Sequence, residues 1–195
     1  MRSTQDRRPH EGQSIIDGFT VWFTGLPCSG KTTLSQLLAS CLRSLRYQVE
    51  VLDGDEVRRH LSQGLGFSRH DRDLNISRIG YVCHLLSRNG VIAIAAAVSP
   101  YREAREAVRK RIDRFVEVYV KCPLEVCIAR DVKGMYGKAL ADKIPKFTGV
   151  SDPYEEPTMP EVIVETDKLL PEESMRVILG RLEALGYLSH ELLQG

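Results

Sequence analysis

Residues 91–99, VIAIAAAVS, form an apolar run without polar alternation, the pattern of a central strand covered on both faces. Runs rich in β-branched and aromatic residues recur at 19–25 (FTVWFTG), 48–53 (QVEVLD), 115–122 (FVEVYVKC) and 162–166 (VIVET), and each predicts a strand. Between them the apolar positions change to helical spacing. Leu34, Leu37, Leu38 and Leu42 predict a helix over 31–44, and further helices are predicted around 71–89, 102–113 and 171–186. Asn89-Gly90 and Gly186 close two of these patterns as C-terminal stops. Strands alternating with helices predict an α/β fold in three layers, a central parallel sheet with helices on both faces.

Residues 131–160 break the alternation. They are rich in Lys, Gly, Pro and Asp and contain no clear strand. A connection that long inside a compact domain is expected to be a functional lid or a disordered segment. Tyr136 and Phe147 within it argue against simple disorder, so a mobile lid is the expectation. The polar start has no apolar core and is not a secretory signal. Residues 1–17 are expected to be a disordered leader, and 18–195 one domain.

Composition narrows the class without naming a chemistry. A chain of 195 residues, 43% hydrophobic and 27% charged, is ordinary for a soluble globular domain. Its net charge of +1 lacks the basic footprint of a nucleic-acid binder. No apolar run approaches the ~20 residues of a membrane helix. Neither nucleic acid nor membrane is therefore expected as a partner. Cys28, Cys41, Cys83, Cys122 and Cys127 are odd in number and scattered, with no C-x-x-C pair. That spacing predicts no zinc site and no disulfide framework, and it fits a reducing cytoplasm.

The chemistry begins at GLPCSGKTT, residues 25–33. Gly25, four residues, then Gly30-Lys31-Thr32 is the phosphate loop G-x-x-x-x-G-K-[ST], here following a strand and opening a helix. The glycines let backbone N–H groups converge on one anion, and the helix adds its positive end. Gly25, Leu26, Pro27, Cys28, Ser29, Gly30, Lys31, Thr32 and Thr33 are the expected nucleotide-binding stretch. Lys31 would reach the β/γ oxygens of ATP, and the Thr32 hydroxyl would hold Mg²⁺. DVKG (131–134) matches the D-x-x-G of GTP switches. No N-K-x-D accompanies it, and chance explains the match better.

A phosphoryl-transfer site also needs acids near the metal and the acceptor. LDGDEVRRHL supplies Asp53 and Asp55 across Gly54 at the end of a strand. One carboxylate can face the magnesium shell and the other an acceptor hydroxyl, while one of the pair can instead cap the following helix. Arg58 lies three residues after Asp55, and Arg72 and Asn75 are likewise three apart. Arginines converging with an amide describe a pocket for an anionic acceptor. Arg59 and Arg69 are expected to be solvated. At this level three readings stand. They are a kinase for an anionic acceptor, a phosphate-loop kinase for another small alcohol, and a non-catalytic nucleotide-binding regulator.

The motifs GFTVWFTGLPCSGKTT, LDGDEVRRHL, LGFSRHDRDLNISRIG, VSPYREAR, KGMYGKA, FTGVSDPYE and VIVET together resemble the adenylylsulfate kinases, from about residue 18 to 186. LDGD and FTGVSDPYE carry the resemblance further than the phosphate loop does. It implies the three-layer phosphate-loop fold and transfer of phosphate from ATP, with Mg²⁺, to the 3′-hydroxyl of adenosine 5′-phosphosulfate. By the same resemblance Asp55 is the base and Asp53 a magnesium-shell acid, with Lys31 and Ser99 beside the reaction. Arg58, Arg72 and Asn75 match positions that hold the acceptor, and Phe67 and Phe147 match two aromatics that sandwich its adenine. Ser99 matches a serine described as a phosphoenzyme intermediate. A direct in-line transfer needs no such intermediate, and Ser99 then binds the acceptor instead. Lys133 and Lys138 in the lid would neutralise phosphate charge, and Arg130 would pack on the ATP base. A homodimer and functional coupling to an ATP sulfurylase are also implied. Cys28, Ser77 and Lys146 depart from the family pattern, none at a position with a named chemical role.

Overall fold

The structure, a computed structural model, describes residues 18–188, so the leader expected at 1–17 lies outside the described residues. Five strands carry the fold: β1 (Thr20–Thr24), β2 (Val49–Asp53), β3 (Ile92–Ala96), β4 (Phe115–Lys121) and β5 (Val162–Glu165). All pair in parallel in the order β2-β3-β1-β4-β5. The apolar run at 91–99 contains β3, which lies between β2 and β1 with all five of its residues buried. That is why its sequence shows no alternation.

Seven helices connect and cover the sheet: α1 (Lys31–Ser44), α2 (Gly54–His60), α3 (Arg69–Ser87), α4 (Arg102–Arg111), α5 (Leu124–Arg130), α6 (Met135–Leu140) and α7 (Pro171–Ala184). Successive strand residues serve opposite layers. Val21 and Phe23 of β1 join Ile92 and Ile94 of β3, under Leu34, Leu38 and Leu42 of α1 and Ile178 and Leu182 of α7. Trp22 faces the other way, with Ala93 and Ala95, against Ile76, Ile79 and Cys83 of α3 and Val108 of α4. Gly80 of α3 permits that closeness, because a β-carbon there would stand 2.6 Å from Val108 Cγ2.

The stretch 131–160 is more ordered than a single lid. Asp131 accepts from the Tyr136 and Gly137 amides at 3.0 and 2.9 Å, fixing the first turn of α6. Tyr136 and Phe147 then bury themselves with Cys122, Cys127 and Ala139 in a third, smaller core. Further on, residues 152–156 form a strap tied to the body. Tyr154 hydroxyl lies 2.9 Å from Thr24 Oγ1, Tyr101 donates to Asp152 at 2.8 Å, and the Glu155 amide donates to the Pro100 carbonyl at 2.8 Å.

Candidate active site

The phosphate loop leaves β1 at Gly25, whose φ of +152° lies in the region that favours glycine. A β-carbon there would stand 2.4 Å from the Val120 carbonyl, so no other residue fits. Gly30, at φ +104°, starts α1, and among the described residues no side chain caps that helix. Its first N–H groups are thus left for an anion. Cys28 adopts φ +61°, a left-handed conformation that costs an L-residue ~1 kcal/mol. The small residue from which Cys28 departs is explained by that backbone.

Lys31 folds back into the loop. Its Nζ donates to the Gly25 carbonyl at 2.9 Å, the Leu26 carbonyl at 2.6 Å and Ser29 Oγ at 3.4 Å. Burial removes water from the ammonium and lowers its pKa to about 8, with Cys127, Cys28, Asp53 and Asp55 opposing the shift. Thr32 and Thr33 are exposed on the first turn of α1. Pro27 is held through its carbonyl, which accepts from the Tyr136 hydroxyl at 3.0 Å.

Asp53 and Asp55 divide two tasks. Asp53 caps α2, its Oδ1 accepting from the Asp55 amide at 3.0 Å, while its Oδ2 accepts from the Thr32 hydroxyl at 2.9 Å. The cap and the acid facing the phosphate loop are therefore one residue. A hydroxyl and a carboxylate at this spacing are oxygen donors of the kind Mg²⁺ accepts alongside water and phosphate. Asp55 caps nothing. Its exposed carboxylate is met by Lys133, which reaches across from the turn before α6. That contact raises the Lys133 pKa, the hydrogen bond to Asp55 being the largest cause.

On the acceptor side, Arg58, Phe67 and Arg72 form one stack. The Arg58 guanidinium lies 4.6 Å from the Phe67 ring centre and that of Arg72 lies 5.6 Å from it. Phe67 is 51% exposed. Arg58 also donates to the Gly66 carbonyl at 3.1 Å, and desolvation, then repulsion from Arg72, lowers its pKa. Arg72 is engaged on three sides, donating to the Phe67 carbonyl at 3.1 Å, Thr148 Oγ1 at 3.0 Å and the Lys146 carbonyl at 2.5 Å. Asn75 is buried beside it, with its Oδ1 unpartnered.

Four expectations fit less well. Phe147 is 9% exposed and packs edge-on against Tyr136 at 5.0 Å, so it presents no open face to Phe67. Ser99 is 2% exposed. Its hydroxyl accepts from Trp22 Nε1 at 3.1 Å and donates to Thr24 Oγ1 at 3.0 Å, so it serves the core beneath the site. Lys138 is exposed on α6, whereas the contact to Asp55 is made by Lys133. Arg69 is not merely solvated, since its guanidinium sits 4.6 Å from the Tyr101 ring centre.

Two groups carried too weak a sequence signal to be singled out. Thr166, just after β5, donates to the Ser29 carbonyl at 2.7 Å. Arg130 donates to the Thr166 hydroxyl at 3.2 Å and to its carbonyl at 2.6 Å, and this places it beside the loop. Arg105, 2% exposed, pairs with Glu117 at 2.9 Å and donates to the carbonyls of Ser99 at 2.5 Å and Glu155 at 2.6 Å. It joins the end of β3 to the strap. A separate groove of about 620 Å³ lies between the strap and the end of β4, touching the phosphate loop only through Leu26.

Comparison with known proteins adds an independent finding. The family model for adenylylsulphate kinase matches residues 17–165. An adenylyl-sulfate kinase of Picosynechococcus sp. is 56% identical over 172 residues, 88% of this chain and 97% of that protein. A probable bifunctional SAT/APS kinase 2 of Sorangium cellulosum is 55% identical over 172 residues, 88% of this chain but 30% of that protein. Among solved structures, the Mycobacterium tuberculosis APS kinase in complex with AMPPNP and APS matches with a TM-score of 0.81 at 38% identity. The match covers 86% of this chain and 98% of that one.

Proposed function

The chain belongs to the adenylylsulphate kinase family, and from that premise we propose that it moves the γ-phosphoryl group of ATP onto the 3′-hydroxyl of adenosine 5′-phosphosulfate. The product is 3′-phosphoadenosine 5′-phosphosulfate, an activated sulfate. Within this chain the observation that carries the reading is the division of labour at the end of β2. Asp53 is committed to Thr32 and the helix cap, which leaves Asp55 the carboxylate available to an acceptor.

ATP lies along residues 25–33, its β/γ oxygens taking over the Lys31 ammonium from the loop carbonyls. Thr32 and Asp53 would hold Mg²⁺, which would supply positive charge to the donor phosphates. Asp55 accepts the proton of the 3′-hydroxyl as that oxygen bonds to the γ-phosphorus and the bond to ADP breaks. Asp55 must first part from Lys133. Both side chains of that pair are about two-thirds exposed, 64% and 65%, and such a contact is worth at most about 1 kcal/mol. Substrate phosphate can therefore draw Lys133 away, and Lys138 joins it.

Arg58, Asn75 and Phe67 receive the acceptor, with Arg72 bracing the loop that carries Phe147. Arg130 lies against the ATP base. Ser99 has no covalent part, because its hydroxyl is enclosed by Trp22 and Thr24. All five cysteines are free thiols, consistent with a cytoplasmic enzyme. Among the described residues no helix is long and apolar enough to cross a membrane. The working unit is a homodimer, and an ATP sulfurylase supplies the acceptor.

A kinase for another small alcohol keeps Lys31, Thr32 and Asp55 but has no use for the Arg58–Phe67–Arg72 stack. A non-catalytic regulator needs no uncommitted Asp55. Incubation with ATP, Mg²⁺ and adenosine 5′-phosphosulfate tests the assignment. ADP should appear far faster with the acceptor than without it, and equal rates reject the reading.

A further inference from the structure

The peptide that follows Ser29, like the Pro27 and Cys28 carbonyls, is held from outside the phosphate loop. The Thr166 hydroxyl donates to the Ser29 carbonyl at 2.7 Å, although 137 residues separate them in sequence. Arg130 fixes the direction of that hydroxyl. Its Nη1 donates to Thr166 Oγ1 at 3.2 Å and its Nη2 to the Thr166 carbonyl at 2.6 Å. With a guanidinium on its lone pair, the hydroxyl keeps its proton for Ser29.

A trans peptide carries its C=O and N–H on opposite sides, and no described peptide is cis. A Ser29 carbonyl turned towards Thr166 therefore turns the Gly30 N–H away from β5. That is the direction of the loop interior, where the first amides of α1 also converge. Gly30 accommodates the turn at φ +104°. From this geometry we infer that Thr166 is a positioning residue for the donor phosphates, acting by fixing the orientation of the Ser29–Gly30 peptide. Arg130 takes part by orienting Thr166, in addition to any contact with the base. The inference rests on the assignment of residues 25–33 as the ATP site.

Thr166→Val keeps the shape and removes the hydrogen bond, whereas Thr166→Ser keeps the hydroxyl and removes the methyl. KM for ATP, KM for adenosine 5′-phosphosulfate and kcat are measured for both, with melting temperatures. Binding of inorganic tripolyphosphate is measured alongside, because it offers donor-like phosphates without a base for Arg130. Thr166→Val is expected to weaken tripolyphosphate binding and raise KM for ATP by about tenfold, the scale of a carbonyl left short of its partner. KM for the acceptor should hold, and Thr166→Ser should restore the wild-type values.

Tripolyphosphate binding by Thr166→Val within twofold of wild type overturns the inference. So does an equal loss in Thr166→Ser, which would assign Thr166 to packing through its methyl. If Thr166→Val does not fold, Thr166→Ala carries the same expectation. A wild-type chain that binds tripolyphosphate but phosphorylates no adenosine 5′-phosphosulfate sinks the acceptor assignment alone. One that binds neither ATP nor tripolyphosphate sinks the donor site and this inference together.

Discussion

Lys31 is held by its own loop before any phosphate arrives, and its charge is poised there. Burial lowers its pKa to about 8 in the folded chain, whereas the unfolded chain keeps the usual value near 10.5. Between those values the unfolded state binds more protons, so this group's contribution to stability rises with pH across that window. Phosphate binding has the opposite requirement, because it needs the ammonium. Nucleotide binding should therefore take up a proton above pH 8, and affinity should fall by up to about tenfold per pH unit there. Titration calorimetry in buffers of different ionisation enthalpy measures that uptake, and buffer-independent heats at pH 8.5 would contradict it. Asp55 gives the second test at this scale. Asp55→Asn is expected to cut turnover by about 10²–10⁴-fold with ATP affinity nearly unchanged; near-normal turnover would remove it from proton transfer. Residue types made Lys31, Thr32, Asp53 and Asp55 legible in the sequence, since each follows from a short spacing. The double use of Asp53 was not legible, because it depends on where β2 ends relative to α1.

The elements were read well where periodicity was strong and poorly where it was brief. The five strands and the helices α1, α3, α4 and α7 fall within a few residues of their expected bounds. α3 begins earlier than expected because Ser68 caps it, accepting from the Asp71 amide at 3.1 Å. α5 and α6 span 7 and 6 residues, too few turns to establish a helical period. The strap was hidden for another reason. Its anchors are long-range contacts to Thr24, Pro100 and Arg105, and no local pattern encodes them. Arg105 makes this testable. Arg105→Met leaves the Glu117 carboxylate, 8% exposed, with Arg109 as its ionic partner among the described residues, at 3.1 Å. Loss of one member of a buried pair costs about 3 kcal/mol, which lowers the melting temperature by about 10 °C in a chain of this size. An unchanged melting temperature would show that the strap does not depend on this anchor.

At the scale of the molecule, the site follows from topology. The chain passes from β1 through α1 to β2, then returns through α3 and α4 towards β4. Right-handed crossovers place α1 on one face and α3 and α4 on the other. The crevice where these directions diverge opens beyond the ends of β1 and β3, the place where such sheets receive ligands. In register, Phe23 of β1 and Asp53 of β2 both align with Ala96 of β3. The loop after β1 and the acids ending β2 therefore emerge at one level. The sequence predicted the parallel three-layer fold, but not the strand order β2-β3-β1-β4-β5 that locates the crevice. The resemblance put Lys133 of the 131–134 turn near phosphate, but its meeting with Asp55 was not predictable, because no local pattern encodes a contact across 78 residues.

The meeting of Lys133 with Asp55 has a consequence for thrift. Water is present at tens of molar and competes with every acceptor for a bound triphosphate. While no acceptor is bound, the group that would deprotonate an attacking oxygen is occupied by a cation from the far side of the site. On the proposed roles, the acceptor's own phosphosulfate is the anion that would draw Lys133 off, so Asp55 would be freed as the correct oxygen arrives. On that assignment the pair would suppress wasteful hydrolysis through a contact weak enough to yield. Lys133→Met should raise the ratio of ATP hydrolysis to transfer by up to about fivefold, the equivalent of an exposed ion pair. An unaltered ratio in paired ADP-release and acceptor-phosphorylation assays would show that water is excluded by other means.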